Sequence, residues 1–198
     1  MLNLFNKLLA LVIPRNIDDT EIIIRFAFEG DYRRKKPYIE ENINIREIFF
    51  DNRFEFFPVS VLRKLYVKSE DCLARGQAIQ PNLKSLIVFR KKDFDKAVEK
   101  NSLVRTEFQA HIIGTPLDEN NNYIIPEIEV DTDTLGNPAH ADIRILNPGI
   151  VQADAENANT AIRSFSSVLF KYCKVITLTE TSDITEESFN ELFPSDSN

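Results

Sequence analysis

Residues 21–28, EIIIRFAF, place Ile22, Ile24, Phe26 and Phe28 at alternate positions against Glu21, Arg25 and Ala27, the two-residue period of a strand with one apolar face. PVSVLRKLYV (58–67) is β-branched and aromatic enough for a second strand. LKSLIVFR (83–90) holds consecutive apolar residues at 86–89, which suits a strand covered on both sides. The clearest alternation spans 103–113, with Val104, Thr106, Phe108, Ala110 and Ile112 on one face and Arg105, Glu107, Gln109 and His111 on the other. In NPAHADIRIL (137–146), Ala141, Ile143 and Ile145 are the expected core contacts. His140, Asp142 and Arg144 then point the other way, to solvent or a cleft. KVITLT (174–179) reads as a last strand, Pro126 demotes YIIPEIEV (123–130) to an edge strand, and the aromatic clusters of 46–57 read as short strands or a turn.

Helical spacing appears elsewhere. Ser69 is placed to cap a helix running to Gln80, Asp93 one running to Lys100, and Asp183 with Glu186 form a capping box for DITEESFNELF (183–193). From Ala155 to Tyr172 the apolar positions Ala158, Ile162, Phe165, Leu169 and Tyr172 recur at helical intervals. The pattern predicts a single α+β domain over 15–193: a mixed, mostly antiparallel sheet covered on one face by a long C-terminal amphipathic helix. Residues 1–14 are expected to form a separate apolar helix stopped at Pro14, and 194–198 a disordered tail.

Composition narrows the class. With 43% apolar residues, 15 Phe and only 5 Gly in 198 residues, the chain has the balance of a folded globular protein. Two cysteines, Cys72 and Cys173, are too few and too far apart for a disulfide framework, so a reducing, cytoplasmic setting is expected. The net charge of −7 is unevenly spread: the first hundred residues hold 19 basic and 15 acidic side chains, the rest 5 and 16. The basic groups gather in RRKK (33–36) and RKK (90–92), but an acidic chain without a stacking motif does not favour nucleic acid as a partner.

MLNLFNKLLALVI (1–13) is too short to cross a bilayer and lacks a cleavable leader's basic start. Docked on its own domain it would be core; offered outward, Leu2, Phe5, Leu9 and Val12 would bind a protein partner; the third reading, a membrane-surface anchor, would want more basic residues and a larger polar face. The acidic second half is an alternative partner surface.

For chemistry, His140 is a candidate general acid–base with Asp142 orienting it, although side chains two apart on a strand lie about 7 Å from one another. If the strands of His111 and His140 are neighbours, Arg105, Glu107 and His111 come within reach of His140, Asp142 and Arg144. His111, His140 and Asp142 are ligand types for a metal, yet the chain carries no recognised metal-site spacing, and no metal or cofactor is expected. There is no Gly-x-Ser-x-Gly elbow and too few glycines for a phosphate-cradling loop.

Arg25-Phe26, the SVLR segment (Ser60–Arg63) and NPAHADI (Asn137–Ile143) make residues 21–176 resemble a family of uncharacterised bacterial proteins. The resemblance attaches no activity but raises Arg25, Arg63, His140 and Asp142 above the other polar residues. Two functions are expected, the first ahead of the second, which is its alternative. One is a cytoplasmic interaction or accessory subunit, including a multi-component, toxin–antitoxin or defence-type module. The other is an enzyme or binding domain for a phosphorylated small molecule or nucleic-acid end. In the second, Arg25, Arg63 and Arg144 hold phosphate while His140, Asp142 and His111 are the catalytic candidates.

Overall fold

A computed structural model describes residues 13–33, 42–43, 58–118, 120–124, 135–145, 155–179 and 184–193. In chain order the strands are β1 (Ile22–Phe28), β2 (Tyr32–Arg33), β3 (Asn42–Ile43), β4 (Val59–Arg63), β5 (Leu83–Arg90), β6 (Ala110–Gly114), β7 (Leu117–Asp118), β8 (Leu135–Asn137), β9 (His140–Ile145) and β10 (Lys174–Thr177). The helices are α1 (Ser69–Ile79), α2 (Lys91–Glu99), α3 (Ala155–Phe170) and α4 (Glu186–Leu192). Six strands form one sheet in the order β10-β5-β1-β4-β9-β6, and β2-β3 and β7-β8 form two small ladders.

The α+β class holds. The sheet is not mixed, however: each described pairing is antiparallel, because neighbouring strands run in opposite directions throughout. Helices also cover both of its faces rather than one. On the first face, Phe94 and Ala97 of α2 and Ile162, Phe165 and Leu169 of α3 pack on Ile23, Val61, Ile87, Phe89, Ala141 and Ile143. On the second, Cys72 of α1 and Phe189 of α4 pack on Ile24, Phe26, Leu62, Leu86 and Val88. β1 therefore has two apolar faces, since the consecutive isoleucines supply one side chain to each. Gly76 lets α1 approach closely: a Cβ there would lie 2.6 Å from Leu83 Cδ2.

α3 ends at Phe170, before Tyr172, and among its described side chains Ile162, Phe165 and Leu169 carry the apolar stripe. Residues 104–108 depart further. They form a π-helical turn, not a strand, with Val104 and Phe108 both buried. Positions four apart share a face in a helical turn as well as in a strand, so the alternation there fits both periods. The turn ends at Gln109, whose φ of 51° is left-handed, and β6 begins at the next residue.

Local ends also shift. β4 stops at Arg63, where Lys64–Tyr66 wind into a 3-10 turn. Ser69 opens α1 as its first helical residue and directs its hydroxyl to Glu186 instead of capping. Asp93 lies inside the first turn of α2, and Thr185 caps α4. Residues 46–57 and 125–130 lie outside the described residues, as do Leu2, Phe5, Leu9 and Val12 and the 194–198 tail. Among the described residues no helix is long and apolar enough to cross a membrane.

Candidate functional site

β4, β9 and β6 are adjacent, and their register decides which polar side chains meet. Ser60 is opposed to Asp142 and Leu62 to His140, while His111 is opposed to Arg144. Opposed residues share a face, so Ser60, His111, His140, Asp142 and Arg144 all project from the second face. Ser60 and His140 are diagonal neighbours there, and the Ser60 Oγ lies 3.1 Å from His140 Nε2. Ser60 is exposed, whereas His140 and Asp142 are buried at 7% and 0%.

The turn after β6 supplies the rest. The Thr115 carbonyl oxygen lies 2.8 Å from His140 Nδ1, and a carbonyl only accepts, so in the neutral ring the proton sits on Nδ1. Nε2 then presents its lone pair to the Ser60 hydroxyl. The Thr115 hydroxyl, 2.9 Å from Nδ1, donates to Asp142 Oδ2 at 3.0 Å. Arg144 Nη2 donates to the same carboxylate oxygen at 2.9 Å.

Asp142 Oδ1, by contrast, accepts no hydrogen bond among the described residues although it is buried. It lies 3.8 Å from His140 Nε2. An unmatched buried acceptor costs about 1–3 kcal/mol, and this one gains an electrostatic partner whenever Nε2 is protonated.

Tyr123 closes one side, its ring centroid 6.2 Å from that of His140 and 5.3 Å from the Arg144 guanidinium carbon. Burial, reinforced by the Asp142 charge, holds the Tyr123 phenol above its ordinary pKa. Asp118 shapes this loop by accepting the backbone N–H groups of Asn120 and Asn122, each at 2.8 Å.

The other expected residues separate. His111 shares the face but sits opposite Arg144, four residues along β9 from His140, or roughly 13 Å at about 3.3 Å per residue. Its Nδ1 lies 3.1 Å from the Gln109 carbonyl oxygen. Arg105 is on the π-helical turn and pairs with Glu99 at 3.0 Å, so neither it nor Glu107 extends the β6 face.

Arg63 is opposed to Ile23 and therefore belongs to the first face, on the far side of the sheet from His140. Its Nε and Nη2 donate to the two Glu21 carboxylate oxygens at 2.6 and 2.8 Å, and Nη1 donates to the Pro14 carbonyl at 2.6 Å. All three guanidinium nitrogens are engaged with protein, and the side chain is 1% exposed. Arg63 is thus a structural clamp, not a phosphate ligand. Arg25 also projects from the first face, but its Nη1 reaches the Ser60 carbonyl at 3.3 Å and braces the serine's backbone. Burial lowers the Arg25 guanidinium pKa, and nearby Asp31 opposes that shift. Only Arg144 of the three arginines joins the His140 cluster.

The RKK run is likewise committed locally: Arg90 lies over Phe193 and Lys91 pairs with Asp95 at 2.6 Å. Neither cysteine is activated. Burial pushes the Cys72 thiol up to about 11 and the Cys173 thiol well above the usual range.

Sequence reasoning overlooked Ser60 and Thr115 as parts of this cluster. The only signal for Ser60 was its place in SVLR, and nothing in one sequence states the β4–β9 register. Comparison with protein-family models, curated proteins and solved structures finds no match to this chain.

Proposed function

We propose that the protein is an enzyme whose working site is the second-face cluster around His140, with His140 the general base. One observation carries this reading: the His140 ring is bonded through Nδ1 to the Thr115 carbonyl, leaving the Nε2 lone pair directed at an exposed hydroxyl oxygen. Asp142, buried beside Nε2, stabilises the imidazolium formed during turnover, and Arg144 and Thr115 hold the carboxylate in place. The phosphate part of the sequence expectation receives less support, because Arg25 and Arg63 lie on the opposite face and Arg144 is already paired with Asp142.

The test is protein-dependent hydrolysis of p-nitrophenyl acetate and of bis(p-nitrophenyl) phosphate, comparing the full chain with His140→Gln. A general base contributes about 10²–10⁴-fold, so His140→Gln should lose at least about 100-fold on whichever probe is accepted. An unchanged rate in a variant with native circular dichroism contradicts the reading.

A further inference from the structure

We infer that Ser60 is a covalent nucleophile and that the substrates are activated acyl compounds, esters or thioesters. The inference rests on His140 being the base. Three observations on Ser60 carry it. Its Oγ is within hydrogen-bond reach of the unprotonated nitrogen of His140, at 3.1 Å. It is exposed, while the residues behind it are buried, so an electrophile can approach the oxygen from solvent. Its backbone is held on both flanks: β4 pairs with β9 through Ser60–Asp142, and Arg25 bonds to the Ser60 carbonyl from the first face. A hydroxyl is a weak nucleophile at neutral pH unless a neighbouring base takes its proton, and this combination of base, orienting acceptor and exposed hydroxyl meets that need.

In the step, Ser60 Oγ attacks the acyl carbon as its proton moves to His140 Nε2. A carbon–oxygen bond forms to Ser60, the bond to the leaving alcohol or thiol breaks, and the imidazolium returns its proton to that leaving group. Water, deprotonated by the same nitrogen, then releases the carboxylic acid and restores the Ser60 hydroxyl. Asp142 Oδ1, 3.8 Å from Nε2, stabilises the charge at each protonated stage.

The experiment treats the full chain with an alkyl fluorophosphonate and locates the adduct by peptide mass spectrometry, alongside stopped-flow hydrolysis of p-nitrophenyl acetate. Attack by Ser60 displaces fluoride, so the expected result is one phosphonyl group on Ser60. It is absent in Ser60→Ala and reduced at least about 100-fold in rate in His140→Gln. A burst of p-nitrophenol close to one per chain accompanies it. Ester hydrolysis that needs His140 but survives Ser60→Ala with no adduct overturns the nucleophile and leaves the base reading standing. Absence of any protein-dependent hydrolysis or adduct overturns both.

Discussion

Ser60 and Asp142 are directly opposed across the β4–β9 ladder, and that one pairing sets the chemistry of the second face. It places the serine hydroxyl diagonally from His140 and puts the buried carboxylate beneath both. Residues two apart on one strand, such as His140 and Asp142, do not reach each other well alone. Thr115 bridges them, touching the ring through Nδ1 and the carboxylate through its hydroxyl.

Arg63 is predicted to matter for folding rather than for chemistry. Replacing it with Ala strands Glu21, 5% exposed, without its bidentate partner and frees the Pro14 carbonyl. Breaking one side of a buried pair costs roughly 3–5 kcal/mol, which urea unfolding would detect as a large fall in midpoint. Gly114→Ala should act through the same group, since its Cβ would lie 2.8 Å from Arg63 Nη1. The two substitutions are therefore expected to be non-additive in a double-mutant cycle. Additive effects would mean that Gly114 does not report on the clamp.

The contact between α1 and α4 should weaken in acid. The Lys64 ammonium at 2.7 Å, then the Ser69 hydroxyl at 2.7 Å, hold the Glu186 carboxyl below its ordinary pKa. Its folded value lies below its unfolded value, so the stabilisation is complete above the ordinary glutamate range and is lost as pH falls through the folded value. Glu186→Gln should therefore lose less stability than the wild type between about pH 7 and about pH 3. Equal losses would assign the acid sensitivity to other groups.

Both thiols should be silent in the native protein. Burial is the main cause of the raised pKa of Cys72 and of Cys173, so the reactive thiolate is scarce at neutral pH. Ellman's reagent is expected to react slowly with the folded chain and with two thiols per chain in denaturant. Fast native reaction of either cysteine would show that its neighbourhood opens readily.

Where side-chain order alone decides the element, sequence reading performed well. β5 spans 83–90 as its apolar run indicates, and β1 spans 22–28 within a residue of the alternating stretch. Where two periods coincide it failed: Val104 and Phe108 satisfy a strand and a helical turn equally, and packing against α2 and α3 chose the turn. His140 and Asp142 were legible as polar residues facing away from Ala141 and Ile143, but not as buried ones. Their partners come from residues 60 and 115, and a register across that distance leaves no local trace. Arg63 misled for a related reason. An arginine near a motif looks free until the Glu21 that neutralises it, 42 positions earlier, is brought alongside.

The proposed chemistry requires that neutral His140 carry its proton on Nδ1 and offer Nε2 to Ser60. Long-range ¹H–¹⁵N correlation spectroscopy of the imidazole measures this directly. The expected result is the Nδ1–H tautomer in the neutral ring, with Nε2 in the unprotonated chemical-shift range and shifting on Ser60→Ala. A neutral His140 protonated on Nε2, with a spectrum indifferent to Ser60→Ala, would contradict it.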